Sequence, residues 1–241
     1  MKKEFPVKLL GAARIPSPLP LSCDSIQEEF QFVNDDSRIL HDVAIRSSGK
    51  GQKHFSFEQA GPRSHSYFDA SKVRAGIVTC GGLCPGINNV IRTIVMQLHH
   101  NYGVHRIHGF RYGFQGFIPS YQHEIVDLKP ANVQNIHNLG GSILSSSRGP
   151  QDPVEMVDCL ERNNIRILYC IGGDGTLCGA HAIAEEVGRR KKIFPLSASL
   201  RLLIMISPTV SKPLALKQLF QKQLNLCRPH TRKLTVTTTE L

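Results

Sequence analysis

Short apolar runs alternate with helical patterns of apolar residues through the middle of the chain, between residues 71 and 193. Uninterrupted apolar runs predict strands at 73–79, 104–110, 140–144 and 165–171. Apolar residues spaced three and four apart predict helices over 87–101, 128–139, 154–163 and from about residue 179 onward. Because strands and helices alternate, we predict an α/β fold in which helices flank an open, mainly parallel sheet.

Composition divides the chain into three regions. Residues 1–70 have no sustained pattern, and we interpret them as an N-terminal extension that packs on the main domain at 71–193. Residues 194–241 contain no Gly and no Asp, although the chain has 20 glycines before them. This abrupt change predicts an incomplete sheet and an irregular, aberrant tail, with residues 207–241 poorly ordered. The apolar stretch 200–206 is a candidate replacement strand.

The net charge of +10 does not predict a nucleic-acid partner, because most of it lies outside the main domain. Residues 194–241 contain seven Lys and Arg against one Glu, so they hold +6 of that charge. No apolar run is long enough to span a membrane, and no secretory signal follows Met1. Seven cysteines without a Cys-x-x-Cys pair predict reduced thiols in a cytoplasmic protein. Acidic residues near the start count against organelle targeting, although that alternative stays open.

A glycine-rich turn, Gly172-Gly-Asp-Gly-Thr176, follows the apolar run 165–171 and precedes a helical pattern. This order suits a phosphate group, because glycines let the backbone approach it and helix N-terminal amides attract anions. The single carboxylate, Asp174, suits Mg²⁺ held jointly by one side chain and phosphate oxygens. The alternative is an ordinary strand-to-helix turn, which two glycines alone would favour. The full pattern favours a nucleotide site.

Two further loops contain residues suited to phosphate. The turn 80–86, Cys-Gly-Gly-Leu-Cys-Pro-Gly, follows a predicted strand but departs from the Rossmann and Walker A patterns. The hydroxyl-rich loop 145–149 contains Arg148 and Gly149, which suit a phosphate or ribose contact, although such a loop alone is more often merely solvated. Three other candidates to reach a ligand stand at the start of the helix 87–101: Asn88, Asn89 and Arg92. The alternative for the two asparagines is helix-start chemistry.

The three loops are predicted to meet in one crevice. Each follows a predicted strand, and the carboxyl ends of parallel strands converge at one edge of an open sheet. Two glycine turns, an arginine and a carboxylate in one crevice describe a site for a phosphorylated donor with Mg²⁺, and hence phosphoryl transfer. The residues alone do not identify the acceptor.

These stretches resemble the phosphofructokinase family, in the branch where Thr-Cys-Gly-Gly-Leu-Cys-Pro-Gly replaces a shorter turn. The similar stretches occur in the family's order and spacing within residues 60–193, at 75–92, 109–117, 136–153 and 171–180. The resemblance implies the fold of the N-terminal half of such an enzyme. It also implies transfer of the ATP γ-phosphoryl to the 1-hydroxyl of fructose 6-phosphate in glycolysis.

The resemblance further implies roles for individual residues. Gly81 would contact the donor phosphates, and Arg148 and Gly149 the nucleotide. The phosphate site would be lined by Gly173, Asp174, Gly175 and Thr176, with Asp174 holding Mg²⁺. In the family, a Gly after the metal-binding Asp leaves room for ATP and an Asp there favours pyrophosphate, so Gly175 implies ATP.

The family's Pro-Lys-Thr-Ile-Asp-Asn-Asp motif, whose first Asp is the catalytic base, is absent from the sequence. We therefore expect no catalytic base in this chain and no activity of the chain alone. A frameshift near Lys192 explains the absence. If each hidden codon takes the last base of one visible codon and the first two of the next, residues 194–206 permit Ser-Val-Val-Gly-Ile-Pro-Lys-Thr-Ile-Asp-Asn-Asp without a gap. Met205 followed by Ile206 forces the codon GAT, which encodes the last Asp.

Two alternatives remain. One is a different kinase with a Gly-Gly-Asp-Gly-Thr turn, of the NAD-kinase or lipid-kinase type, against which the loops 80–86 and 145–149 weigh. The other is a non-catalytic ATP-binding or regulatory fragment that associates with full-length subunits in an oligomer.

Overall fold

The computed structural model describes residues 12–21, 32–40, 56–59, 61–190 and 201–202. The described parts of the N-terminal extension contain four short strands: β1 (Ile15–Pro16), β2 (Arg38–Leu40), β3 (Ser56–Glu58) and β4 (His65–Ser66). These strands form two antiparallel pairs, β1 with β4 and β2 with β3.

Among the described residues, five strands form the central sheet: β5 (Arg74–Thr79), β6 (Arg106–Phe110), β7 (Ile125–Asp127), β8 (Ile167–Ile171) and β9 (Arg201–Leu202). Their order across the sheet is β7-β6-β5-β8-β9, and every neighbouring pair is parallel except β6 and β7. Val78 of β5 lies opposite both Phe110 and Cys170, which sets the register at the centre of the sheet. The predicted open, mainly parallel sheet is confirmed.

In the part of the chain that the structure describes, four α-helices flank the sheet: α1 (Ile87–Met96), α2 (Pro130–Val133), α3 (Pro153–Arg162) and α4 (Asp174–Arg190). A π-helical turn, Gln97–Asn101, follows α1 directly. Asp152 caps α3 by accepting a hydrogen bond from the Val154 N–H at 3.1 Å. Pro153 occupies the first position of α3, where no N–H is needed. The sequence predicts this helix start correctly.

Alternation along the strands sends apolar side chains into two cores, one on each face of the sheet. One core contains Ile77, Tyr169 and, from α1, Ile91 and Val95. The other contains Val78, Cys170 and residues of α3 and α4, including Met156, Leu160 and Ile183. The carboxyl ends of β5 and β8 are therefore held between two packed layers of helices.

Three local predictions are wrong. Residues 140–144 form turns and not a strand, because their hydrogen bonds form no strand ladder. The Ile143 N–H donates to the Asn88 side chain, the Leu144 carbonyl accepts from the Tyr112 N–H, and the Ser142 hydroxyl bonds to Thr79. The predicted helix 128–139 is reduced to α2 and a 3-10 turn, Ile136–Asn138. The helix that follows Gly172 and Gly173 begins at Asp174, five residues before the predicted start. In addition, the sequence pattern did not predict β7.

The candidate replacement strand is present where the structure describes it. Arg201–Leu202 pairs in parallel with Ile167 and Leu168 at the sheet edge. The remainder of the stretch 200–206 lies outside the described residues, and so does the tail 207–241 that was predicted to be poorly ordered.

The prediction of reduced thiols is correct for Cys80, Cys84, Cys159 and Cys170, which are free. It is wrong for Cys178, which is disulfide-bonded. Separately, none of the helices in the described ranges is both long and apolar enough to cross a membrane.

Candidate functional site

The two glycine-rich turns begin side by side at the point where the strand order changes direction. From β5 the chain proceeds to β6 on one side of the sheet, whereas β8 lies on the other side of β5 and is followed outward by β9. In open parallel sheets, ligands bind in the crevice beyond the carboxyl ends of the strands at such a switch point. The topology therefore assigns the candidate site to the ends of β5 and β8.

The turns after β5 and β8 are in direct contact. The Cys80 N–H donates to the carbonyl of Ile171 at 2.9 Å, which extends the strand pairing by one step. Beyond that bond, a β-carbon at Gly172 would overlap the Thr176 hydroxyl and the Cys80 carbonyl. Gly81 adopts a φ of +84°, a conformation that favours glycine. The glycines at these positions thus allow two backbones to meet at the crevice.

The loop 145–149 joins the same crevice although it does not follow a strand. The Ser146 hydroxyl donates to the Gly81 carbonyl at 2.6 Å, and the Gly81 N–H donates to the Ser147 carbonyl at 3.2 Å. The prediction that the loops meet is therefore correct, but the reason given for this loop is wrong. Side-chain and backbone hydrogen bonds position it, and no strand of its own does.

The turn after β8 presents open backbone and the amino end of a helix of 17 residues, α4. Gly173, Asp174 and Gly175 are exposed, and no heavy atom lies within 4 Å of a β-carbon built at Gly173 or Gly175. The Gly173 carbonyl accepts hydrogen bonds from the N–H groups of Thr176 and Leu177, at 3.0 and 3.1 Å, and so closes the first helical turn. The space above the turn and the helix amino end suit a phosphate group.

The donor set at this turn fits Mg²⁺ shared with phosphate. Asp174 offers one exposed carboxylate as the first residue of α4. Within the described ranges there is no group of three His, Cys, Asp or Glu side chains that could hold a metal ion. Mg²⁺ is commonly bound by one or two carboxylates together with substrate phosphates, and Asp174 supplies that kind of ligand.

Arg148 and Gly149 lie at the exposed end of the loop that touches Gly81. Gly149 has a φ of +100°, and a β-carbon built there would meet no atom within 4 Å. The cationic side chain thus follows directly after Ser147, whose carbonyl is bonded to Gly81. The structure brings the predicted residues at 81, 148–149 and 173–176 to one edge of the sheet.

Two of the three helix-start candidates, Asn88 and Arg92, bond to other parts of the chain, whereas Asn89 is exposed. Asn88 is 2% exposed, and its amide donates to the Leu139 carbonyl and accepts from the Ile143 N–H, both at 2.9 Å. Arg92 donates to the Gln134 carbonyl at 3.0 Å. Asn88 therefore supports the segment that leads into the loop 145–149, a role that the sequence analysis did not consider.

Thr79 is a buried polar residue that the sequence analysis did not select. It ends β5, is 1% exposed, and its hydroxyl contacts both Ser142 and Ser145. The sequence feature that could have identified Thr79 is a hydroxyl residue at the end of a predicted strand, next to a glycine turn.

Burial keeps the thiol of Cys80 in its neutral form. Loss of solvation raises the pKa of the Cys80 thiol to about 12, although hydrogen bonds with the Phe114 backbone and the Thr176 side chain act in the opposite direction. Cys80 is therefore a packing residue between the two turns, whereas Arg148 and Asp174 are exposed charged residues at the same edge of the sheet.

The sequence of the chain is similar to those of known proteins. The sequence model of the family described as Phosphofructokinase matches residues 74–217. An ATP-dependent 6-phosphofructokinase from Borreliella burgdorferi is 43% identical over 189 residues, which are 78% of this chain and 42% of the relative. One from Trypanosoma brucei brucei is 49% identical over 133 residues, which are 55% of this chain and 27% of the relative. The chain thus spans less than half the length of these relatives.

Among solved structures, Pichia pastoris phosphofructokinase in the T-state aligns with a TM-score of 0.49 and 23% identity. The alignment covers 64% of this chain and 17% of that one.

Proposed function

The chain belongs to the phosphofructokinase family, and on that basis we propose that residues 71–193 are the ATP-binding half of an ATP-dependent 6-phosphofructokinase. The complete enzyme would transfer the γ-phosphoryl group of ATP to the 1-hydroxyl of fructose 6-phosphate. The observation that supports this proposal best is the contact between the two glycine turns at the switch point, with open space above Gly173 and Gly175.

Each residue of the site has a proposed task. The exposed backbone of Gly81 and of residues 173–176 contacts the phosphates, and the amino end of α4 attracts their negative charge. Arg148 and Gly149 contact the nucleotide from the loop held against Gly81. Asp174 holds Mg²⁺, which when bound neutralises charge on the phosphate oxygens.

We propose that this chain alone does not complete the reaction, because the motif that contains the proton-accepting Asp is absent. Without a general base, the acceptor hydroxyl keeps its proton and is a weak nucleophile. The frameshift hypothesis accounts for the absence, since the shifted reading of residues 194–206 restores that motif. The match to the family model extends past Lys192 to residue 217. The nucleotide sequence is therefore needed to test whether a frameshift occurs near Lys192. A transcript with no base change or shifted splice junction near Lys192 contradicts the hypothesis.

Nucleotide binding is tested on the full purified chain by calorimetric titration with ATP and Mg²⁺. We expect binding by the wild type and about tenfold weaker binding by Asp174→Asn, because one ligand of the metal is lost. Glu155→Gln is the matched control, since Glu155 is also exposed in the first turn of a helix. In excess EDTA the difference between wild type and Asp174→Asn should disappear. Equal affinities in the presence of Mg²⁺ would contradict the role of Asp174.

A coupled assay for fructose 1,6-bisphosphate tests the second half of the proposal. We expect no turnover by this chain, and turnover by a chain whose frame is restored after Lys192. Robust turnover by the chain without the restored frame would contradict the loss of catalysis. ATP binding together with co-purification of an intact homologue would instead support the regulatory alternative, in which the chain joins an oligomer of full-length subunits.

A further inference from the structure

The loop that contains Arg148 has a buried anchor 69 positions earlier in the chain, at Thr79. The Thr79 hydroxyl lies 2.6 Å from the Ser145 carbonyl and 2.8 Å from the Ser142 hydroxyl. A carbonyl can only accept, so the one proton of Thr79 goes to Ser145. The Ser142 hydroxyl must then donate to Thr79, and it also accepts from the Leu144 N–H at 3.2 Å. The donor and the acceptor of each hydrogen bond around Thr79 are therefore defined.

The anchor lies at a position where the loop backbone has an unfavourable conformation. Ser145 has a φ of +57°, a left-handed conformation that few residues other than glycine adopt. Its carbonyl accepts a hydrogen bond from the hydroxyl of Thr79, which is 1% exposed. Two residues later, the Ser147 carbonyl is bonded to Gly81. Arg148 follows immediately.

We propose that Thr79 is a positioning residue for Arg148, acting through Ser142 and Ser145 to hold the loop 145–149 at the nucleotide crevice. The hydroxyl at the end of β5 thereby ties the strand that leads into one glycine turn to the loop that supplies the cation. This inference rests on the proposed function in one respect, namely that Arg148 contacts the nucleotide. The placement of the loop by Thr79 does not depend on it.

The first test measures loop placement without any ligand. Arg148 is exposed, so trypsin can cleave the Arg148–Gly149 bond when the loop opens. Cleavage of the folded chain is followed by mass spectrometry, with cleavage after the exposed Arg162 as the internal reference. We expect Thr79→Val to accelerate cleavage after Arg148 about tenfold relative to that reference, since cleavage follows the population of the open form. Thr79→Ser should restore the wild-type rate, and Thr93→Val, at an exposed threonine of α1, should leave it unchanged.

Unchanged cleavage after Arg148 in folded Thr79→Val overturns the proposal. If Thr79→Val does not fold, Ser142→Ala decides, because it removes the donor to Thr79, together with the acceptor of the Leu144 N–H, and leaves Thr79 itself in place. We expect that variant to accelerate cleavage in the same direction by a smaller factor, and a rate equal to that of the wild type would overturn the proposal.

The second test measures coupling to the ligand with a double-mutant cycle on ATP affinity in the presence of Mg²⁺. Arg148→Ala and Thr79→Val should each weaken binding, and Thr79→Val should have a smaller effect once Arg148 is replaced. An equal loss in both backgrounds would show that Thr79 acts through the fold in general, and would overturn the positioning role. If the wild type binds no ATP, the proposed function fails, and the cleavage assay still decides whether Thr79 places the loop.

Discussion

Gly172 and Thr176 are packed so closely that a β-carbon at position 172 would overlap the Thr176 hydroxyl and also the carbonyl of Cys80. Thr176 is 3% exposed, so its side chain has little room to move away. We predict that Gly172→Ala lowers the free energy of unfolding by roughly 1–3 kcal/mol, the usual cost of inserting a methyl group into a packed site. Urea denaturation followed by circular dichroism measures the change.

Gly173→Ala is the matched control, because a β-carbon built at Gly173 meets no heavy atom within 4 Å. Its stability should stay within about 0.5 kcal/mol of the wild type. Equal stabilities of the two variants would show that the contact between the turns is not a packing constraint.

The two cysteines of the first glycine turn should differ in reactivity. Cys80 is buried, and burial raises the pKa of its thiol to about 12. At pH 8 only about one thiol in ten thousand is then the reactive thiolate. Iodoacetamide should therefore modify the half-buried Cys84 and spare Cys80 in the folded chain. Peptide mass spectrometry after a short pulse of reagent reads both sites, and unfolding in guanidinium should expose both. Rapid modification of Cys80 in the native state would contradict its burial.

Arg190 connects the end of α4 to α3. Its guanidinium bonds to Asp158 at 2.6 Å, to Glu161 at 3.0 Å and to Glu186 at 2.9 Å, and its side chain is 18% exposed. We predict that Arg190→Met lowers the free energy of unfolding by roughly 1–3 kcal/mol, because three carboxylates lose one shared partner. Arg189→Met is the control: among the described residues Arg189 pairs only with Glu186, and its side chain is 65% exposed. That variant should lose less than about 1 kcal/mol. Similar losses in the two variants would contradict a special role for Arg190.

The same cluster predicts how stability responds to acid. The hydrogen bond from Arg190, with that from Arg189, lowers the pKa of Glu186 below its ordinary value of 4.5. A carboxyl group with a lowered pKa in the folded state stabilises the fold above its ordinary value. That stabilisation is lost as the pH falls from 4.5 through the lowered value. We expect Glu186→Gln to show a smaller loss of unfolding free energy than the wild type over this interval, measured by urea denaturation at a series of pH values. Parallel curves would contradict the prediction.

The sequence correctly predicted the elements whose formation depends on residues close together along the chain. The apolar run 165–171 and the Asp152-Pro153 start of α3 are local patterns, and both appear at the predicted places. The loop 145–149 was assigned to the correct edge of the sheet by analogy with its two neighbours, not by its own contacts. Its actual hydrogen bonds are made with Thr79 and Gly81, which lie 66 and 65 residues before their partners Ser145 and Ser146. Contacts at that separation depend on the order of the strands in the sheet. The spacing of apolar residues along the chain does not reveal that order.

The same limit applies to β7 and to the residues 140–144. β7 is only three residues long and pairs antiparallel with β6, so it produces no alternation with helices from which it could be predicted. Residues 140–144 include an apolar pair typical of a strand, and tertiary hydrogen bonds override that preference. Predictions at the candidate site were most useful where glycine, carboxylate and strand occur in one continuous stretch, as they do at 165–176.

Gly175 offers a test of donor choice at the candidate site. A β-carbon at Gly175 would meet no heavy atom within 4 Å, so a larger side chain fits there without disturbing the fold. We predict that Gly175→Asp folds like the wild type but binds ATP with Mg²⁺ about tenfold or more weakly, because a second carboxylate beside Asp174 repels the triphosphate at close range. By the family resemblance, affinity for pyrophosphate should fall less. Calorimetric titration with each donor measures the two changes. Gly175→Asn separates charge from size: if the added charge is responsible, the Asn variant should keep most of the wild-type affinity for ATP. An Asn variant as impaired as the Asp variant would instead show that the space above Gly175 is needed by the nucleotide itself.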